Sequence, residues 1–483
     1  MIDRPEIMEF AREFGLAPNV VEKDYVLGWL LAGISNHSEL GNAWVFKGGT
    51  CLKKCYFETY RFSEDLDFTL PDTSTLDEVR LGQIFNDISE WVYDQAGIEC
   101  PRDTFRFEVY ENKRGGMSAE GRVGYRGPMQ RRGDSPRIKL DLTCDEILVL
   151  EPTPREVHHP YSDRPDGGIQ VQCYSYEEVF AEKVRALAER ERPRDLYDVV
   201  HLFRHTSERP DRTSVLRTLE EKCTFKGIDV PTMAALENRP ERAELEAEWA
   251  NMLAHQLPAL PPFAQFWGEL PAVFDWLHGA IEKAAPQSIS VRGVGAMDEA
   301  WRPPAMVQAW HANVPLEVIR FAAANHLCVK LDYIDEKGNR TIPIIEPYSL
   351  FRTQDGNLIV SAVKHETEIP RSYRVDRIQG AEATQESFVP RYAIEFGASG
   401  PLSAPATARR SAGANLFQAS ALTSRRTPRR SKVTGYGPKY VHQCTLCGKK
   451  FTRKSNNTRL NPHKDKQGYP CPGRAGIYVT TKY

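Results

Sequence analysis

The chain has 483 residues, of which 41% are hydrophobic and 27% charged, with a formal net charge of −2. That length suffices for about three domains of ~150 residues each, with the composition of cored globular proteins. No run of about 18 apolar residues is present, which argues against a membrane-spanning helix, and no basic-then-apolar stretch opens the chain, so a cytoplasmic protein without a membrane partner is expected.

The charge is unevenly spread: residues 401–483 hold seventeen Lys and Arg against one acidic residue, Asp465, which leaves the first 400 residues at about −18. A tail of that kind suits contact with phosphates. Of the ten cysteines, seven are scattered from Cys51 to Cys328 and read as reduced, mostly buried thiols.

In chain order, residues 1–35 read as helical, with an amphipathic stretch over 20–31. A strand is predicted over 43–47, a helix over 50–57 and a strand over 65–70. A basic, loop-rich segment, 113–137, leads to Arg137-Ile138-Lys139-Leu140-Asp141-Leu142-Thr143. Its alternation predicts a strand with Asp141 on the face opposite Ile138, Leu140 and Leu142. From Ser175 the period changes to that of a helix carrying Phe180, Val184 and Leu187 on one stripe, with Lys183 at its border. Pro193 interrupts it, a second helix starts near Asp195, and mixed helix runs on to about residue 284. A linker is expected over 286–314, including Arg302-Pro303-Pro304. Beyond it come a helix over 316–325 and short strands over 328–333, 341–345, 358–363 and 372–378, which suggest a small β-barrel. Residues 398–436 read as a flexible basic linker.

Two short motifs point to chemistry. Lys47-Gly48-Gly49-Thr50 is a Gly-Gly turn opening a helix, which lets bare backbone approach a phosphate. Asp65-Leu66-Asp67 on a strand puts two carboxylates on one face, since side chains alternate with period 2. Carboxylates are the natural ligands of Mg²⁺ or Mn²⁺, and nucleotidyl transfer asks for charge neutralisation and in-line positioning. Asp65, Asp67 and a third carboxylate, Asp141, are the expected metal ligands. Lys183 is the expected phosphate-binding cation, with Asp195 or Asp198 orienting it or meeting the nucleotide.

The ordered set of Val21-Glu22-Lys23-Asp24-Tyr25, Phe46-Lys47-Gly48-Gly49-Thr50-Cys51-Leu52, Arg61-Phe62-Ser63-Glu64-Asp65-Leu66-Asp67-Phe68, Lys139-Leu140-Asp141, Ala181-Glu182-Lys183-Val184-Arg185-Ala186-Leu187 and Arg194-Asp195-Leu196-Tyr197-Asp198 resembles the AbiEii/AbiGii toxin family of nucleotidyltransferases over residues 1–275. The resemblance implies an α+β, polymerase-beta-like nucleotidyltransferase domain with a helical extension, here residues 1–285. It implies the toxin half of a type IV toxin–antitoxin or abortive-infection (anti-phage) system, with a cognate antitoxin as partner. It further implies transfer from an NTP to an RNA acceptor, expected to be the 3′ end of tRNA. Carried over by motif, Gly48, Gly49, Asp65, Asp67, Lys183 and Asp195 are the functional residues. Thr50 and Asp198 join the expected nucleotide contacts.

Within a unit expected over 315–397, residues about 315–392 resemble a WYL domain, an SH3-like β-barrel, through Val329-Lys330-Leu331-Asp332-Tyr333, Glu346-Pro347-Tyr348-Ser349-Leu350 and the segment from Pro370 to Ile378. The name-giving Trp-Tyr-Leu is replaced by Leu358-Ile359-Val360. The resemblance implies a nucleic-acid or nucleotide ligand, and Arg371, Arg374 and Arg377 are placed to grip phosphate or to pair with nearby acids. In the last unit, 437–483, Cys444, Cys447, His463 and Cys471 match structural zinc spacing, with His442 a rival ligand. A short segment with little core needs such a metal to fold. Two other functions suit the same residues: a nucleic-acid-binding regulator with an inactive transferase module, and a protein nucleotidylyltransferase.

Overall fold

The computed structural model describes residues 1–57, 60–111, 115–130, 135–204, 210–281, 287–291, 295–298, 301, 316–396, 439–453, 458–464 and 470–482. The expected basic linker, 398–436, and Arg302-Pro303-Pro304 lie outside these residues. The chain forms two compact units, Met1–Ser411 and Ala412–Tyr483.

In the first unit the opening helical stretch divides in two. Helix α1 (Arg4–Phe14) starts where Asp3 accepts a hydrogen bond from the Glu6 amide and stops at Gly15. Helix α2 (Pro18–Asn36) is buried along most of its length. Strand β1 (Val45–Lys47) runs into a helical turn, α3 (Gly48–Cys51), that widens to a π-turn over Leu52–Tyr56. Strand β2 (Asp65–Thr69) and helix α4 (Glu78–Ala96) follow. Next come β3 (Arg106–Glu111), β4 (Met117–Gly124), β5 (Arg137–Thr143), β6 (Thr153–Glu156) and β7 (Gln170–Cys173). The segment expected to be loop-rich thus contains strand β4. Its Gly, Arg and Ser content hides the strand, which pairs along its whole length with β5. The seven strands form one mixed sheet in the order β3-β4-β5-β2-β1-β7-β6.

Helix α5 (Tyr176–Arg190) starts at Ser175, whose side chain accepts from the Glu178 amide, and ends with Glu191 in the left-handed region at φ 44°. Helices α6 (Pro193–Arg204), α7 (Arg212–Lys226), α8 (Met233–Glu237), α9 (Glu241–Ala247), α10 (Trp249–Leu253) and α11 (Phe263–Leu277) continue the helical layer. Pro193 therefore begins a helix, at the position where its missing N–H costs nothing.

Helix α12 (Leu316–Ala324) leads into a curled antiparallel sheet of β8 (Leu327–Ile334), β9 (Arg340–Thr341), β10 (Ile344–Arg352), β11 (Leu358–Lys364), β12 (Ile369–Arg374) and β13 (Ile378–Ser387). Strand order is β12-β11-β10-β8-β13, with β9 beside β8. The strand expected over 372–378 is in fact the end of β12, a 3₁₀ turn at Val375–Arg377 and the start of β13. One apolar core runs from the mixed sheet through the helices into this second sheet. Polar contacts fix the junction: buried Asn325 accepts from Tyr197 Oη at 2.9 Å, and its carbonyl accepts from Gln265 Nε2 at 3.1 Å. Arg204 pairs with Glu269.

The second unit has β14 (Lys439–Cys444), β15 (Lys450–Arg453), β16 (His463–Lys464), β17 (Pro470–Cys471) and β18 (Gly476–Lys482), in a three-stranded sheet and a two-stranded ribbon.

Asn325→Ala leaves the Tyr197 hydroxyl buried without its acceptor, an expected loss of about 1–3 kcal/mol. Urea denaturation checks this, and unchanged stability would contradict the assigned junction.

Candidate functional site

The site grows from the register of two parallel strands. Strands β2 and β5 pair Asp67 with Asp141 and Asp65 with Lys139. Alternation sends Leu66, Phe68, Leu140 and Leu142 into the core, all at most 2% exposed, which leaves the three carboxylates on the other face. The hydrophobic face fixes the register, so the carboxylates stay side by side despite their like charge. Burial first, then Asp141, pushes the Asp67 carboxyl up to about 6, while Lys47 and Lys183 oppose the rise. Burial raises Asp65 as well, with Asp141 adding to the shift. Crowded carboxylates of this kind form a donor set whose charge a divalent cation would relieve. Lys139 bridges Asp141 at 2.9 Å and Glu120 at 3.3 Å on the outer side.

Strand β1 lies antiparallel to β2 and pairs Lys47 with Asp67. Directly after it, Gly48 takes φ +78°, and a Cβ there would stand 2.1 Å from Asp67 Oδ2. On Gly49 a Cβ would stand 2.5 Å from an Arg61 guanidinium nitrogen. The Gly-Gly turn thus brings backbone closer to the carboxylates than any other residue permits. Lys47 pairs with Glu146, which also accepts from Tyr174 Oη at 3.1 Å.

Helices α5 and α6 supply a charged wall. Lys183 Nζ lies 2.8 Å from Asp198 and 3.3 Å from Asp195. Arg61 holds Asp198 through two bonds, of 2.7 and 2.8 Å, and Arg190 holds Asp195 at 2.8 Å. Burial alone would lower Lys183, but Asp198 and Asp195 outweigh it and keep the ammonium above its ordinary value. Burial likewise works against Asp195, yet Lys183 and Arg190 hold that carboxyl below the usual range.

These residues line an open, strongly polar cleft of about 250 Å³. Gly48, Gly49, Asp65, Asp67, Asp141, Lys183 and Asp195, widely separated in sequence, all meet there. Two expected nucleotide contacts stand behind the wall instead. Asp198 is 0% exposed and receives Arg61, Lys183 and Tyr60. Thr50 is 1% exposed and donates to the Asp65 carbonyl. Both positions support the site from within.

Sequence reasoning gave no role to Arg61, Arg190, Arg192 or Arg194, which also line the cleft. Arg194 is distinctive because its buried Nε has no hydrogen-bond partner among the described residues, and burial and the neighbouring Arg61 lower its pKa. The signal was available in the alternation Arg190-x-Arg192-x-Arg194 across the α5–α6 turn.

In the curled sheet, Arg374 pairs with Asp376 at 2.8 Å and Arg377 with Glu336 at 3.0 Å. Arg374 and Arg377 therefore meet nearby acids, the alternative to a phosphate grip. In the second unit, ligand atoms of Cys444, Cys447, His463 and Cys471 lie within 4.8 Å of one another. Cys444 and Cys471 sulfurs are 3.8 Å apart, and Cys447 Sγ is 3.2 Å from His463 Nε2. Sulfurs of one tetrahedral zinc stand roughly 3.8 Å apart, so the set fits that ion. His442 packs against Tyr478 and is not in the cluster.

A family model described as nucleotidyl transferase AbiEii toxin, type IV TA system, matches residues 29–278, and one for the WYL domain matches residues 315–383. Among curated proteins none matches the chain in sequence. Similar solved structures include the nucleotidyltransferase toxin MenT4 of Mycobacterium tuberculosis (22% identity, 58% of this chain and 90% of that one, TM-score 0.39). Another is JHP933 of Helicobacter pylori (16% identity, 55% and 94%, TM-score 0.35).

The pKa of Asp67 in the fold exceeds its ordinary 3.8, so its ionisation opposes folding above about pH 6 and ceases to do so below 3.8. Asp67→Asn is expected to stabilise the metal-free protein at pH 8 by about 1–3 kcal/mol, with the gain fading toward pH 4. Thermal denaturation across pH measures it, and a loss of stability at pH 8 would overturn the electrostatic account.

Proposed function

As this chain belongs to the AbiEii nucleotidyl transferase toxin family, we propose that its cleft transfers a nucleotide from an NTP to a 3′ hydroxyl of RNA, with tRNA as the acceptor. The observation that carries the proposal is the register pairing Asp67 with Asp141 beneath a Gly-Gly turn. Asp65, Asp67 and Asp141 are the residues that would hold Mg²⁺ or Mn²⁺. When bound, such ions neutralise the triphosphate and lower the pKa of an attacking hydroxyl.

The remaining roles fall to the chain itself. Gly48 and Gly49 admit the triphosphate to close backbone contact. Lys183, kept charged and pinned by Asp195 and Asp198, offers a fixed cation to a phosphate oxygen. Arg194 and Arg192 add donors at the cleft for the triphosphate or the RNA backbone. Asp198 with Arg61 acts in positioning, by holding Lys183 in place.

The same proposal extends to the cell. The enzyme works in the cytoplasm as the toxin of a toxin–antitoxin or anti-phage system, restrained by a cognate antitoxin. Its WYL domain takes a nucleic-acid or nucleotide ligand. Exposed pairs such as Arg374–Asp376 are worth only about 0–1 kcal/mol, so a ligand phosphate can replace the acid. Zn²⁺ in the last unit holds together a small basic module.

Purified protein is incubated with tRNA and each of four α-labelled NTPs. Wild type is expected to label the tRNA, and Asp65→Ala/Asp67→Ala is expected to lose at least 100-fold. Arg194→Ala is expected to retain the fold and lose about 10-fold in kcat/KM, the effect of removing one charged contact. Labelling of protein in place of tRNA, or undiminished labelling by the double variant, would overturn the proposal.

A further inference from the structure

The curled sheet holds a further group of metal-ligating side chains, separate from both sets described above. Cys328 on β8, His365 just after β11 and Glu386 on β13 each place one ligand atom within 4.8 Å of the others. Cys328 Sγ lies 3.5 Å from His365 Nδ1, and Glu386 Oε1 lies 3.1 Å from His365 Nε2. Ligands of a single tetrahedral zinc stand roughly 3.3–3.8 Å apart, given bonds of about 2.0–2.3 Å. One imidazole nitrogen serves one ion: with Glu346 on Nδ1 the ligand is Nε2, where Glu386 already stands at ligand spacing, while Cys328, nearer Nδ1, has to turn toward the Nε2 side to coordinate.

Three features point beyond a chance hydrogen-bonded cluster. The first is a fault in the ladder. Strand β13 pairs Ala383 with Val329 and then Ser387 with Leu327, so residues 384–386 stand opposite the single residue Cys328. A bulge of this kind re-aims a side chain, and here it carries Glu386 to the histidine. Thr384 Oγ1 fixes the bulge by donating to the Cys328 carbonyl at 2.9 Å and accepting from the Glu386 amide at 3.2 Å.

The second is a buried carboxylate behind the histidine. Glu346 is 1% exposed, its Oε1 lies 2.8 Å from His365 Nδ1, and its other oxygen accepts from Tyr348 Oη at 3.0 Å. A carboxylate that orients a histidine ring is the usual support behind a metal ligand. The third is access: Cys328 is fully buried, but His365 is 29% and Glu386 51% exposed, so the ion has a path from solvent.

We propose that Cys328, His365 and Glu386 bind a divalent transition-metal ion, Zn²⁺ by the mixed sulfur, nitrogen and oxygen donor set, and that the ion ties β8, β11 and β13 together. Three protein ligands with an exposed outer edge leave the fourth position to water or an anionic oxygen.

The test uses the full chain, with Cys444→Ser, Cys447→Ser and Cys471→Ser introduced to remove the thiolates of the last unit. Titration with Co²⁺ is expected to give a thiolate-to-cobalt absorption band that saturates at one ion per chain, since cobalt held by Asp65, Asp67 and Asp141 adds no such band. Adding Cys328→Ser should abolish the band, and adding Glu386→Gln should weaken affinity at least 10-fold. Zinc content of the otherwise unaltered chain gives a second readout, expected to fall by one ion per chain on Cys328→Ser, with circular dichroism unchanged. A band that survives Cys328→Ser, no thiolate-to-cobalt band from the folded triple variant, or equal zinc in wild type and Cys328→Ser would overturn the proposal and leave a hydrogen-bonded cluster only.

Discussion

The structure depends on holding like charges together. Asp67 and Asp141 face each other because β2 and β5 pair in parallel, with Leu66, Phe68, Leu140 and Leu142 fastened into the core on the reverse side. A slip of one residue would bury the carboxylates and expose the leucines, so burial on one face maintains repulsion on the other. Burial, and then the repulsion from Asp141, raises the carboxyls of Asp67 and Asp65. Folding energy from the core is thereby stored as affinity for a cation, which links packing to chemistry.

The opposite wall solves the complementary problem. A lysine buried as deeply as Lys183 would tend to lose its proton. Two carboxylates, Asp198 and Asp195, keep it charged, and two guanidiniums, Arg61 and Arg190, keep those carboxylates ionised in turn. The cost of burying charge falls when every member has a partner with good geometry, whereas removing one member strands the rest. Such a network contributes little net stability, but it fixes the ammonium in place before any substrate arrives, which suits electrostatic stabilisation of a charged transition state.

Much of this was legible in the sequence, because local rules applied. The alternation through Asp141 gave strand β5, and the Gly-Gly turn and the Asp-x-Asp pair gave two sides of the cleft. What escaped had a tertiary cause. Strand β4 exists because β5 and β3 flank it, not by its own propensity. Asp198 reads as a cleft residue from its spacing to Asp195, yet the turn of α6 carries it inward to Arg61, a partner 137 positions away. The free donor of Arg194 likewise follows from how the α5–α6 turn packs. In the curled sheet, Cys328, His365 and Glu386 share no motif, and only a bulge brings them together.

The central claim is that the trio of carboxylates is a cation site set against a triphosphate cradle. Crystals grown with Mn²⁺ and a non-hydrolysable NTP test it most directly, since manganese gives anomalous scattering. The account predicts an anomalous peak among Asp65, Asp67 and Asp141, with the triphosphate against Gly48-Gly49 and Lys183. Manganese bound elsewhere, with those three carboxylates free and the nucleotide outside the cleft, would contradict it.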